Sequence, residues 1–164
     1  MSEKIKYTIR KARLADMERV FLLSNDTAVR QQSIHPETIT LQQHVQWFTR
    51  RIKDPDYVFL VVYDQQKQFI GQVRYEVKNN SAVISISINR DFRGKGLAVP
   101  LLKATAARVF KLKPELKEIT AYIRPDNVAS SRSFLKAGYA RSAHLQQAII
   151  NDIPFEVFTL KRKA

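Results

Sequence analysis

A strand, a basic glycine-bearing turn and a long helix follow one another without a break between Ser81 and Lys111. Ala82-Val83-Ile84-Ser85-Ile86-Ser87-Ile88 alternates at strand period, and Leu97, Leu101, Leu102, Ala106, Val109 and Phe110 recur at helical spacing. Between them lies Arg93-Gly94-Lys95-Gly96-Leu97-Ala98. The first turn of a helix leaves backbone N–H groups without intrahelical partners, and the aligned peptide dipoles add partial positive charge there. Gly94 and Gly96 remove Cβ atoms that would hold a phosphate away, while Arg93 and Lys95 add full charges. The turn reads as a pyrophosphate cradle. It is not a P-loop, which needs Gly-x-x-x-x-Gly-Lys-Ser/Thr, nor a dinucleotide turn, which needs a third glycine where Val99 stands.

The turn does satisfy Arg-x-x-Gly-x-Ala, through Arg93, Gly96 and Ala98. A second segment follows in register. Strand-like Glu118 to Arg124 leads into Asn127-Val128-Ala129-Ser130-Ser131-Arg132-Ser133-Phe134-Leu135-Lys136-Ala137-Gly138-Tyr139. Asn127 suits a helix N-cap, residues 128–137 can be helical, and Gly138 supplies a left-handed C-cap. Together the two segments resemble the coenzyme A signature of the GCN5-related N-acetyltransferases.

The resemblance implies one α/β domain over residues 1–164, with a mixed sheet and the order β-α-α-β-β-β-α-β-α-β-β. Its central strands splay apart and admit the pantetheine arm. The acyl donor is then acetyl-CoA, held by Arg93, Gly94, Lys95, Gly96, Leu97, Ala98, Asn127, Ser131 and Phe134. The backbone of Ser87 and Ile88 pairs with pantetheine like an added strand, and an N–H near Ile88 serves the thioester carbonyl.

The remaining chain fits this order. Lys6 to Arg10 reads as a first strand and Leu14 to Ser24 as a helix, followed by a polar loop over 25–36. Thr40 and Gln43 match a capping box, and Leu41, Val45, Phe48 and Ile52 form an apolar stripe behind it. The continuous run Val58 to Tyr63 predicts a strand buried on both faces, turning at 64–68 into a hairpin with Phe69 to Val77. Arg141 to Ala148 and Phe155 to Lys161 predict a final antiparallel pair.

With no cysteine among 164 residues, disulfides, thiolate zinc sites and an acyl-thioester on the enzyme are excluded. Three scattered histidines lack ligand spacing, so no metal is expected. The charged N-terminus lacks a signal-peptide core and no apolar run reaches a membrane span, so a cytoplasmic protein without a membrane partner is expected. The net charge of +13 calls for anionic partners, yet the basic residues are scattered rather than gathered on one helix. Phosphorylated small molecules fit this better than nucleic acid. Monomer and homodimer are both compatible with the sequence.

Strand alternation locates a second candidate region. Phe69, Val73, Tyr75 and Val77 fall on one face, and Gln72, Arg74 and Glu76 on the other; Ser85 and Ser87 share a face of the next strand. Two polar rows on adjacent central strands are costly to bury unless they line a cleft. Glu76 is the candidate general base, with His44 the alternative. Many members of the resembled family carry a tyrosine that protonates the leaving thiolate, at the position of Phe134, which cannot donate. Either Ser131, Tyr139 or water substitutes, or general-acid help is dispensed with.

A finer resemblance concerns the acceptor. Asn25-Asp26-x-x-x-Arg30, His44-x-x-Trp47-Phe48 and Ile70-Gly71-Gln72-Val73-Arg74 resemble the branch acting on nucleotide-linked amino sugars in nonulosonic acid synthesis. Ser24 stands where that branch has tryptophan. The resemblance places Asn25, Arg30, His44 and Arg74 around the sugar nucleotide, with Gln72 and Ser85 beside them. Two alternatives are an acetyltransferase for protein N-termini, like the ribosomal-protein alanine type, and a non-catalytic acyl-CoA sensor.

Overall fold

The computed structural model describes residues 3–164. Strands β1 (Tyr7–Lys11), β2 (Tyr57–Asp64), β3 (Phe69–Lys78), β4 (Ser81–Ile88), β5 (Glu118–Ile123), β6 (Ala140–Arg141), β7 (Gln147–Ile150) and β8 (Ile153–Lys161) form one sheet. Its order is β1-β2-β3-β4-β5-β8-β6, with β7 also paired to β8. Among these strands only β4 and β5 run parallel; every other pair is antiparallel. Helices α1 (Met17–Ser24), α2 (Thr27–Gln32), α3 (Leu41–Arg51), α4 (Ala98–Leu112) and α5 (Val128–Lys136) accompany the sheet, with 3-10 turns at Leu14–Asp16 and Arg90–Phe92.

Alternation on β2 and β3 divides the core into two layers. Val73, Tyr75, Val77 and Ile84 face α4 and α5, packing with Leu102, Ala106, Val109 and Phe134. Tyr75 hydroxyl meets Thr105 Oγ1 at 2.7 Å, joining β3 to the middle of α4. On the opposite face Phe59 and Val61 pack with Val20 and Leu23 of α1 and Phe48 of α3.

The predicted hairpins, the long helix and the α5 caps form as expected: Asn127 Oδ1 accepts from Ser130 N–H, and Gly138 has φ +101°. The capping box at Thr40 and Gln43 is also present. Several details differ. The helix expected from Leu14 opens with a 3-10 turn and becomes α-helical at Met17. The loop expected over 25–36 contains α2, nucleated by Asp26, whose carboxylate accepts from the N–H groups of Ala28 and Val29.

On α3, Leu41 and Val45 are exposed while His44 and Phe48 are buried. At 100° per residue the buried face is rotated from the expected stripe toward residues 44, 47 and 48. There the ring of His44 meets Phe21, Trp47 and Phe48 at centroid distances of 5.1–5.8 Å. The last hairpin turns at Asn151-Asp152, both with positive φ, and pairs β7 with β8; of the expected 141–148 segment only Arg141, in β6, and Gln147 and Ala148, in β7, join the sheet.

Candidate active site

β4 and β5 pair at three positions only, Ser81↔Glu118, Ala82↔Ile119 and Val83↔Thr120. Beyond Val83 they diverge, and a cavity of about 1030 Å³ opens between them, bounded by the N-terminal end of α4, by α5, and by the α1–α3 layer. The expected splay is therefore present. Asn89 N–H donates to Ile70 carbonyl at 2.7 Å, which fixes the phase of the β3–β4 ladder. In an antiparallel pair alternate residues bond across, so Ser85 and Ser87 turn their backbone groups to β3. Ile84, Ile86 and Ile88 turn theirs to the gap. Ser87, expected to pair with pantetheine, turns its backbone to β3, and the groups facing the gap are those of Ile86 and Ile88, the Ile88 carbonyl being taken by Arg93 Nε at 2.7 Å.

Arg93, Gly94, Gly96, Leu97 and Ala98 line the cavity at the head of α4, whose N-cap position, Leu97, offers no side-chain acceptor. Gly94 and Gly96 take φ +71° and +73°, and a Cβ on either would meet nothing within 4 Å. Their requirement is the left-handed backbone, and the space in front of them is open. Among the described residues, the six successive amides from Gly94 to Val99 donate to no protein acceptor. Pro100 has no N–H to add. Six free donors at a helix N-terminus beside a guanidinium fit a diphosphate. Lys95 is exposed at the tip of the loop with its ammonium 5.6 Å over the Phe92 ring, outside the cavity lining.

On the α5 wall, Asn127, Ser130, Ser133 and Phe134 line the cavity. Ser131 does not: residues 130, 133 and 134 share one helical face, and 131 is turned about 100° from 130. Phe134 is nearly buried and stands edge-on to Tyr139, centroids 4.8 Å apart. The Tyr139 hydroxyl lies behind it in the core without a hydrogen-bond partner, and burial, reinforced by nearby Tyr75, raises its pKa far above the usual tyrosine range. No side-chain acid among these residues replaces the missing tyrosine.

At the acceptor end, Gln72, Arg74, Glu76, Ser85 and Ser87 line the cavity from one sheet face, Gln72 opposite Ser87 and Arg74 opposite Ser85. Arg74 stacks over Trp47 with Cζ 4.9 Å from the ring, and its Nε is buried without a partner. Glu76 is exposed at the mouth and pairs with Arg51 at 3.3 Å. His44 lines the cavity too, with its ring buried. Its Nε2 lies 3.0 Å from Met17 carbonyl and so donates the proton, which leaves Nδ1 as the ring's lone-pair nitrogen. Burial, aided by Arg74, lowers the His44 pKa, against the opposing bond to Met17.

Two expected substrate ligands are committed to the chain itself. Asn25 is absent from the cavity lining, because its amide exchanges both hydrogen bonds with Ile39 backbone at 2.7 and 2.8 Å. Arg30 does line the cavity, but its guanidinium donates to the carbonyls of Ser24, His35 and Glu37 and to Ser33 Oγ, bracing the loop after α2. Burial, followed by repulsion from Arg74, lowers its pKa.

Three further residues line the cavity without a signal in the sequence that marks them as part of the site. Arg124 donates from Nη2 to Ser33 carbonyl at 2.8 Å and buries an unpartnered Nε. Arg51 likewise has an orphan Nε, and Ser24 accepts from Gln72 Nε2 at 3.2 Å. A polar residue at the end of a strand or helix carries no periodic signal for such roles.

Residues 6–140 match the family model of the acetyltransferase (GNAT) domain. This chain belongs to the GCN5-related N-acetyltransferase family. It is 29% identical over 147 residues, 85% of its length and 84% of the other's, to an L-methionine sulfoximine/L-methionine sulfone acetyltransferase of Pseudomonas aeruginosa. Over 82 residues it is 33% identical to an L-2,4-diaminobutyric acid acetyltransferase of Streptomyces anulatus, covering 50% of this chain and 46% of that one. Among solved structures, spermidine N-acetyltransferase from Vibrio cholerae in complex with CoA and spermine superposes with a TM-score of 0.82 at 21% identity, covering 95% of each chain. An aminoglycoside acetyltransferase with coenzyme A and kanamycin gives 0.80 at 18% identity, over 96% of this chain and 95% of that one.

As a GNAT acetyltransferase the protein takes its acyl group from acetyl-CoA and delivers it to an amine. Transfer requires a deprotonated amine, a donor to the thioester carbonyl as it becomes an oxyanion, and a way for the thiolate to leave. The gap-facing N–H groups of Ile86 and Ile88 are oriented for the second task. The described residues hold no cluster of three or more His, Cys, Asp or Glu, and no helix long and apolar enough to cross a membrane.

Proposed function

We propose that this acetyltransferase acts on the primary amine of a nucleotide-linked amino sugar. The observation that carries the reading is the charge of the acceptor end. Arg30, Arg51, Arg74 and Arg124 line it, and Glu76 is the one carboxylate among the described lining residues. The buried, unpartnered Nε atoms of Arg74 and Arg124 are suited to an anion that arrives with its own acceptors. A diphosphate supplies such acceptors. A polyamine or aminoglycoside, being cationic, would meet repulsion there. Arg93, the amides from Gly94 to Val99 and the backbone of Ile86 and Ile88 hold acetyl-CoA in this reading, with Glu76 or Nδ1 of His44 as routes for the amine's proton.

A second reading rests on the likeness to the methionine sulfoximine/sulfone enzyme. An α-carboxylate would answer the same arginines. The test is coenzyme A release from acetyl-CoA in parallel reactions with a UDP-linked 4-amino sugar, methionine sulfone and a peptide with a free N-terminus. Two charge-assisted hydrogen bonds of about 1.5 kcal/mol each predict at least a 100-fold advantage in kcat/KM for the sugar nucleotide over the peptide. Preference for methionine sulfone moves the assignment to amino acids. Preference for the peptide moves it to protein N-termini, and tight acetyl-CoA binding with no turnover of any amine moves it to a sensor.

A further inference from the structure

Gln72 is a buried residue of the acceptor face whose side chain is only half satisfied. Its relative exposure is 1%, and it lies on β3 directly across from Ser87, beside the gap-facing N–H groups of Ile86 and Ile88. Its Nε2 donates to Ser24 Oγ at 3.2 Å, and Ser24 is itself buried at the end of α1. In this arrangement the amide nitrogen is turned toward Ser24. The carbonyl Oε1 is left in the cavity wall with no donor, although buried carbonyls are almost always paired.

An orphan acceptor at this place suits a ligand that brings an N–H. A primary amine in its neutral form has two such donors and one lone pair. Accepting one N–H from the amine restricts its rotation and leaves the lone pair free to meet a carbonyl carbon held by the β4 backbone. Arg30 and Arg74, on the same wall, oppose a positive charge and so favour the neutral, nucleophilic amine over the ammonium.

We infer that the Gln72 side-chain carbonyl holds the acceptor amine in its attacking position, and that Ser24 is the positioning residue that orients the amide. The inference rests on acetyl transfer to an amine and not on which molecule carries that amine. It is therefore tested with whichever acceptor the wild-type enzyme turns over best.

Gln72→Leu removes the carbonyl at nearly constant volume. The expected result is a fall of 10- to 100-fold in kcat/KM for the amine, with unchanged acetyl-CoA affinity by calorimetry. The deamino analogue of the acceptor should inhibit wild type and Gln72→Leu equally, because it never engaged the carbonyl. Ser24→Ala frees the amide to turn, and kcat should fall several-fold with KM for acetyl-CoA unchanged. If Gln72→Leu does not bind acetyl-CoA, Gln72→Glu, which keeps an oxygen at the same place, decides: retained amine turnover supports the role and loss overturns it. Wild-type kcat/KM in a folded Gln72→Leu, or an inhibition constant for the deamino analogue that changes as much as that for the amine, would show that the carbonyl does not touch the amine.

Discussion

Asp26 Oδ1 lies 3.3 Å from Arg93 Nη2, so the residue that caps α2 also holds the side chain that opens the phosphate cradle. Arg90 adds a weaker contact at 3.6 Å. The acceptor-side loop and the cofactor-side loop are thus joined through one carboxylate. Its presence also places a negative charge beside the cradle proposed to hold the phosphates. Asp26→Asn keeps the N-cap oxygen and removes the charge. Acetyl-CoA should bind about 2- to 5-fold tighter at low salt, the gain shrinking as ionic strength rises, because the effect is electrostatic. Calorimetric titration at two salt concentrations reads both. Unchanged affinity at low salt would mean that the ion pair does not compete with the phosphates.

Gly96 and Gly71 separate conformational from steric need. Gly96 holds φ +73° with open space where a Cβ would stand, so Gly96→Val strains the loop by about 1–2 kcal/mol and pulls the amides out of line. Acetyl-CoA binding should be lost while the melting temperature drops by only a few degrees. Gly71 sits under β4, where a Cβ would overlap Ser87 carbonyl. Gly71→Ala should cost about 3 kcal/mol and be seen in denaturant unfolding. If Gly96→Val retained wild-type affinity, the cradle would be misassigned.

Arg74 tests the acceptor assignment. Stacked on Trp47, it lines the cavity and carries a buried Nε without a partner. Arg74→Lys keeps the charge but loses the planar fork. We expect KM for the acceptor to rise about 10-fold or more, equivalent to one charge-assisted hydrogen bond of about 1.5 kcal/mol, with acetyl-CoA binding unchanged. An unaltered acceptor KM would remove Arg74 from the substrate site.

The pH dependence of stability has two acid limbs. His44 is buried and its folded pKa is lowered, chiefly by burial, from an ordinary value of 6.5. The unfolded chain then binds the extra proton, so the contribution is fully present above about pH 6.5 and is lost as pH falls through the lower folded value. Asp16 also titrates low in the fold. Burial alone would raise it, but hydrogen bonds from Arg10, Tyr63 and the Arg13 N–H outweigh burial. Its stabilisation is present above about pH 3.8 and is lost below it as the depressed folded pKa is crossed. Denaturant midpoints should therefore decline first below pH 6.5 and again below 3.8. His44→Leu should flatten the first segment only; a wild-type-like decline in that variant would assign the limb elsewhere.

The division between what the chain announces and what it withholds follows the range of the interactions. The faces of β3 and β4 are legible because alternation is local: Gln72, Arg74 and Ser85 must share a side whatever they later touch. The cradle is legible because Gly94 and Gly96 act on their own backbone. Asn25 misleads for the opposite reason. Its polar side chain beside a loop suggests a ligand, yet its partner is Ile39 backbone, fourteen residues on. Arg124 is silent in sequence because its role depends on Ser33, ninety-one residues earlier. Helix α2 buries no residue and so carries no apolar period; Asp26 alone starts it.

Phe134 places an aromatic edge in the cavity wall, at the position where the family resemblance puts a tyrosine. Its para position is the one point at which Phe134→Tyr adds an atom, and the edge-on contact with Tyr139 fixes the ring that carries it. General-acid assistance contributes roughly 100- to 10,000-fold where it is well placed. A tenfold rise in kcat is the expected gain. KM for acetyl-CoA should stay constant, and thermal unfolding should show the fold intact. The added hydroxyl would also bring a pH dependence of kcat, falling as the new phenol ionises. If kcat does not rise in a folded variant, loss of the thiolate is not the step that limits turnover, and attack by the amine, held against Gln72, becomes the slow step.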